Sequence, residues 1–461
     1  MELKIKQKLM VSPAKPTWKG NQSLSEWDHI GYTTYTNVIY FYAPTSTPFQ
    51  TVTQTLIDSL SHTLVYFYPL AGRLHSLSNG RFQLDCNEDG ALFVAAELNV
   101  DLSHFEKDHF TPTPEFNRYL IPYINESLPI HERPICLVQL TKLSCGGLSL
   151  GFTTSHVLVD GLSGANFMTE WARVAQGLPL QKVPFFDKKA FGVGSNCCGS
   201  NPLQFDHSND FCSMPFLLKQ PNAEELKKME TTVFILKLTK EQVQKLKNKA
   251  NNDHNGQMIK KSSSRPYTCY EALTSHIWRC SIKARKHLNE QLTACLVAID
   301  SRQRLQPPLP ISYFGNGALN VMASCKAGEL LSQPLSYGAS KIRSVIDMVT
   351  NNYILSATEF LKGEQDLTKF QYSYKSSTNG GGKYIGNPIM SVTNWMNLSF
   401  EGIDFGWGKE IHFGPGYDEI DGGVLILRNK CSDHENVSLL IFICLLVEHV
   451  QPFKKYFYDD L

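Results

Sequence analysis

What the sequence lacks narrows it first. No charge of one sign dominates: Lys plus Arg is 44 and Asp plus Glu is 43 over 461 residues, a net charge of +1. That balance leaves no footprint for nucleic acid and none for a membrane surface. The longest apolar run near the C-terminus, residues 439–447, falls well short of the roughly 20 residues a bilayer span needs. The opening MELKIK has no apolar core of a signal peptide. The twelve cysteines form no CxxC pair, and Cys197 and Cys198 are the only neighbours. Scattered thiols of this kind point to a reducing, cytoplasmic setting. The four Asn-x-Ser sequons, at Asn21, Asn125, Asn397 and Asn436, then read as chance matches. HExxH and paired Cys/His spacings are missing, so no metal site is expected.

What is present is a globular composition, 42% hydrophobic and 19% charged, with apolar material for a large core. Its pattern is mixed. Residues 37–42 (NVIYFY), 81–84, 147–155, 232–238 and 294–299 read as strands. Residues 54–66, 165–175, 240–249 and 270–286 read as helices, the third capped by Thr239. Residues 196–222 hold Gly, Ser, Asn, Pro and Asp without a sustained period and read as a linker. The expected fold class is therefore α/β: two similar-sized lobes of mixed sheet with surrounding helices. Residues 1–195 would form the first and residues 223–461 the second, with a ligand site between them.

Two short segments carry candidate chemistry. His156 and Asp160 lie in TSHVLVDG, where an apolar strand gives way to Gly161 and a helix. Such turns project side chains into clefts. A second HxxxD, from His104 to Asp108, lies in the polar segment SHFEKDHF and reads as solvated surface. The other segment is Asp404-Phe405-Gly406-Trp407-Gly408, a tight turn in which two glycines permit close approach. A GxSxG occurs at residues 147–151, but inside a predicted strand rather than at the sharp turn a serine nucleophile needs.

HxxxDG near residue 160 together with DFGWG near residue 400 resembles the plant BAHD family of coenzyme A-dependent acyltransferases. The resemblance runs end to end, through Tyr40-Phe41-Tyr42, the segment 68–73, Tyr313-Phe314-Gly315-Asn316 and Gly414-Pro415-Gly416. Within the family the chain looks most like the hydroxycinnamoyltransferases. Residues 24–28 (LSEWD) and 110–116 (FTPTPEF) look like the spermidine branch.

The resemblance implies a chloramphenicol acetyltransferase-like fold with the site in a channel between the lobes. It implies a coenzyme A thioester as co-substrate and no permanently bound cofactor. It makes His156 the general base for direct attack in a ternary complex, a role that suits an imidazole with a pKa near about 6.5. Asp160 then turns away and pairs with Arg302, supporting the histidine loop with Gly161. Thr393 and Trp395 stand where the oxyanion donors belong. Asp404 is a catalytic candidate as a second acid/base group, or the shaper of its own turn with Gly406, Trp407 and Gly408. Lys260, Lys261, Ser264, Arg265 and Thr268 form a basic, hydroxyl-rich neighbourhood expected at the nucleotide end of coenzyme A. Tyr35 replaces a histidine common among relatives and is the candidate substrate contact.

Relatives that acylate shikimate or quinate use an arginine downstream of an Asp-Leu pair to grip the acceptor carboxylate. From Asp366-Leu367 to Trp395 this chain has no arginine. The expected partners are therefore small molecules, a hydroxycinnamoyl-CoA and a polyamine such as spermidine, and the expected state is a monomer. Two rivals remain: transfer to an alcohol or shikimate-type acceptor, and a catalytically silent metabolite-binding homologue.

Overall fold

The computed structural model describes residues 1–191, 205–207, 229–252, 265–373, 383–384, 386–429 and 437–461. The expected linker, residues 196–222, falls outside them except for 205–207.

Two six-stranded sheets organise the chain. The first runs in the order Leu3–Val11, Ala91–Leu98, Cys136–Leu143, Leu148–Ser155, Tyr35–Tyr42, His412–Pro415. The second runs Thr231–Thr239, Val437–Leu446, Gly423–Arg428, Ile389–Asn394, Leu292–Asp300, Ala318–Lys326. Both mix parallel and antiparallel pairs.

The continuous apolar run in Tyr35–Tyr42 follows from burial on both faces. Val38, Tyr40 and Tyr42 enter the main core of the first lobe, beneath the helices Phe49–Tyr66 and Gly161–Ala175. Ile39 and Phe41 enter a smaller cluster with Leu98, Phe105 and Phe116. The second core gathers one face of the second sheet and the helices Lys240–Asn251, Cys269–Ala284, Leu335–Met348 and Val447–Asp459.

The lobes exchange segments, which corrects the expected division at the linker. His412–Pro415 pairs antiparallel with Tyr35–Tyr42. Phe400, Ile403, Phe405 and Phe413 are buried in the first lobe's core. The DFGWG turn thus belongs with the first lobe although it lies in the C-terminal half. In return, Trp27 is buried in the second core and its indole donates to Thr358 Oγ1 at 3.0 Å. The reason is apolar area: each crossing segment has large aromatics that only the other core can cover.

Candidate active site

The site is built where the strand Leu148–Ser155 ends. His156 N–H donates to Thr34 O at 2.9 Å, so the ladder with the Tyr35–Tyr42 strand continues past the last strand residue. Asp160 then caps the helix Gly161–Ala175 by accepting from Ser163 N–H. A capping oxygen satisfies one of the orphan amides of a helix N-terminus.

The same carboxylate holds the second lobe. Arg302 donates to Asp160 Oδ2 at 2.9 Å and to Oδ1 at 3.0 Å, and Gly317 N–H donates to Oδ2 at 2.9 Å. The pair is buried. Burial works against the Asp160 charge, but Arg302 and the two amide donors outweigh it and hold the carboxyl below its ordinary range. Arg302 also donates to Gly315 O at 3.0 Å. Asp160 therefore has no capacity left to orient His156, and it locks the histidine turn to the loop after Leu292–Asp300.

His156 is held by a different residue. Asn316 Nδ2 donates to His156 O at 2.8 Å and to Val157 O at 3.0 Å. The imidazole itself bonds its own backbone carbonyl and the Asn316 side chain. Burial pushes its pKa below the ordinary value, while those two bonds and the Asp160 charge pull upward. The balance favours a neutral ring, the form a proton acceptor needs. Asn316 lies in the YFGN stretch, and no local signal ties it to His156, 160 residues away.

Across from this turn stands the strand Ile389–Asn394. Val392 faces the second core, so by alternation Thr393 leaves the other face, with its register partner Leu425 against the first lobe. Trp395 follows on that side, packed against Phe400. Trp395 Nε1 lies 3.6 Å from where a Cβ on Gly161 would stand, and Leu398 Cδ1 would be only 2.8 Å away. A Cβ at 161 would crowd Leu398 but stand in ordinary contact with the indole, so Trp395 lies directly against the helix start. Thr393 and Trp395 thus bring a hydroxyl and an N–H, both competent donors, to the face toward the His156 turn.

Other expected residues are placed elsewhere. Asp404 is the main correction. Its backbone carbonyl accepts from Gln176, the residue that ends the helix His156 precedes. That helix has 15 residues, so Asp404 and His156 are separated by about 20 Å along its axis at 1.5 Å per residue. Asp404 Oδ1 accepts from Gly406 N–H at 2.7 Å and Gly408 N–H at 3.1 Å. Both glycines have φ of +109°, which L side chains rarely adopt. Phe405 packs on Trp171, and Trp407 packs on Phe405 and Tyr42. Asp404 shapes this turn, a helix length away from His156.

Tyr35 is also corrected. Its ring packs with Leu92, Val94, Leu137 and Ile124, on the sheet face opposite Val38 and Tyr40. Its hydroxyl donates to Pro134 O at 2.8 Å, and burial raises its pKa to about 12. The phenol is committed to a structural bond.

Of the expected coenzyme A contacts, Lys260, Lys261 and Ser264 lie outside the described residues. Thr268 is the N-cap of the helix Cys269–Ala284. Its hydroxyl accepts from Glu271 N–H, and its own N–H donates to Glu271 Oε2. This closed capping box occupies the groups expected to meet a phosphate. Arg265 pairs with Asp347 at 3.2 Å and with Glu271 at 3.5 Å. The helix start does stand beside the Thr393 strand, since Tyr270 OH donates to Val392 O at 3.1 Å. Among the described residues no group of His, Cys, Asp and Glu could hold a metal ion, and no helix is long and apolar enough to cross a membrane.

A half-buried histidine at a strand end, tied across two lobes and facing two hydrogen-bond donors, suits an acyl-transfer type of site. The family model described as the Transferase family matches residues 1–460, and the chain belongs to this family, the BAHD acyltransferases. Among curated relatives, the hydroxycinnamoyl-CoA:piscidic acid hydroxycinnamoyltransferase of Actaea racemosa is 39% identical over 460 residues, covering 99% of each chain. The shikimate O-hydroxycinnamoyltransferase of Nicotiana tabacum is 34% identical over 461 residues, covering 100% of each. Among solved structures, vinorine synthase superposes with a TM-score of 0.69 at 20% identity, covering 98% of this chain and 96% of that one. That likeness shows the two-lobed mixed α/β fold.

Proposed function

We propose that the chain transfers a hydroxycinnamoyl group from its coenzyme A thioester to the hydroxyl of a small acceptor of the shikimate or hydroxy-acid kind. His156 is the general base. The observation that carries this reading is the half-buried, neutral-leaning imidazole of the residue held by Asn316, opposite Thr393 and Trp395. In this mechanism His156 takes the acceptor's hydroxyl proton as its oxygen attacks the thioester carbonyl. Thr393 and Trp395 donate to the oxyanion. Collapse breaks the carbon–sulfur bond, and the leaving thiolate takes the proton back from His156.

The acceptor class rests on the relatives. The names of the two reported above, both matched along their full length, specify piscidic acid and shikimate. This moves the spermidine reading of the sequence to second place. What still favours a cationic acceptor is the lack of arginine between Asp366 and Trp395. Incubation with p-coumaroyl-CoA and a panel of shikimate, a hydroxy-dicarboxylic acid and spermidine, read by mass spectrometry, decides between them. The hydroxyl acceptors should exceed spermidine in kcat/KM by more than about tenfold. Faster acylation of spermidine would overturn the acceptor class and leave the acyltransferase standing. No transfer to any acceptor would favour the silent homologue.

A further inference from the structure

We propose that the buried ion pair between Lys188 and Asp28 is a positioning device for His156, acting by fixing which end of the Asn316 amide faces the imidazole. The proposal rests on the reading of His156 as the base.

Three distant segments meet behind the histidine turn. Asp28 comes from the segment before the first sheet's Tyr35–Tyr42 strand, Lys188 from the chain after the helix Gly161–Ala175, and Asn316 from the second lobe's loop before Ala318–Lys326. All three are buried. Asp28 Oδ1 accepts from Asn316 N–H at 2.9 Å and from Asn316 Nδ2 at 3.1 Å. Asp28 Oδ2 accepts from Ser25 N–H at 2.8 Å and Ser25 Oγ at 2.7 Å. Lys188 Nζ lies 3.0 Å from the same Oδ2 and 5.3 Å from the Tyr313 ring centre. It is out of line for a hydrogen bond with Asp28, so it serves as a compensating charge. Without it a buried carboxylate would be costly to keep ionised.

The consequence lies in the chemistry of a carboxamide. Its NH₂ and oxygen ends are nearly the same shape, and a flip exchanges donors for an acceptor. An ionised carboxylate can only accept. Asp28 holds the NH₂ end of Asn316 together with His156 O and Val157 O, and it is the one ionised acceptor of the three, so it weighs most against a flip. The oxygen end remains for the imidazole. An oxygen there accepts the ring N–H and leaves the lone pair on the other ring nitrogen, where the base needs it. With the amide flipped, the ring would meet a donor beside its own backbone carbonyl, and the second tautomer would compete with the first.

The test combines kinetics with ¹⁵N NMR of histidine-labelled protein, the His156 signal being identified by its loss in His156→Gln. Asp28→Asn is isosteric but lets residue 28 present either a donor or an acceptor. Should that variant fail to fold with Lys188 unpaired, the double variant Asp28→Leu with Lys188→Met removes both charges and keeps an apolar fill. A single His156 tautomer is expected in the natural protein and a mixture in the variants. kcat should fall by about 10- to 100-fold with KM for the acyl-CoA within about twofold. A folded variant with the natural tautomer overturns the proposal, whether or not kcat falls. A mixed tautomer with unchanged kcat upholds the positioning and overturns the base assignment of His156.

Discussion

The turn before the helix Gly161–Ala175 and the turn packed against its far end both pair an aspartate with glycines, yet their carboxylates face different partners. Asp160 is bonded by a guanidinium 142 residues away, from the opposite lobe. Asp404 is bonded by amides two and four residues along its own turn. The first carboxylate is buried with a full charge partner; the second is only half-buried and satisfied by backbone. An aspartate in a glycine-marked motif thus carries no fixed meaning. What decides is whether its partner lies within the turn or across the molecule.

The largest effect should separate the two turns outright. His156→Ala is expected to lower kcat by about 10²–10⁴-fold with coenzyme A affinity, by calorimetry, almost unchanged. Turnover close to that of the natural protein would remove the base assignment. Asp160→Asn should next strike folding rather than chemistry. It leaves Arg302 with only the half-exposed Asp300 as counter-charge, a loss at or below the roughly 3–5 kcal/mol of an uncompensated buried charge, visible in urea unfolding and soluble yield. A stable but inactive Asp160→Asn protein would instead put Asp160 in the reaction.

Asp404→Ala should be milder. Two turn amides lose their acceptor, costing about 1–2 kcal/mol, while kcat per folded molecule stays within about tenfold of the natural value. A loss of kcat as deep as that of His156→Ala, at unchanged melting temperature, would break the contrast between the turns. The smallest effect concerns pH. Burial lowers the His156 pKa below 6.5, so with a hydroxyl acceptor kcat/KM should hold its plateau through about pH 6.5 and fall only below it. The same shift weakens the fold in acid. Below about pH 6.5 the unfolded chain takes a proton at His156 that the folded chain resists, so the unfolded state gains ground. An activity decline centred above pH 6.5 would contradict the lowered pKa of the ring.

Much of the local structure was legible. A β-branched, aromatic run marked the strand around 37–42 and an apolar, threonine-rich run the one around 147–155, now Tyr35–Tyr42 and Leu148–Ser155. Thr239 read as a cap and forms a capping box with Gln242. The pairing of Asp160 with Arg302, implied by the family resemblance, is present bond for bond. Less legible was the role of hydroxyl and phenol groups. Thr268 and Tyr35 were read as ligand contacts, but a threonine three residues before a glutamate at a helix start is itself a capping signal. Tyr35's commitment to Pro134 depends on a strand pairing that no local pattern announces.

By itself, then, the sequence determined what arises within a few residues: periodicity, caps, and a histidine placed at the end of an apolar strand. These depend on short-range hydrogen bonds and on which face a side chain leaves, and both repeat with the backbone period. The tertiary structure alone decided that Asp28, Lys188 and Asn316 meet behind His156, that residues 400–415 cross into the first lobe, and that Asp404 stands a helix length from His156. A buried charge or carboxamide must find its partner wherever packing brings one, and the long-range burial of aromatic segments sets that packing.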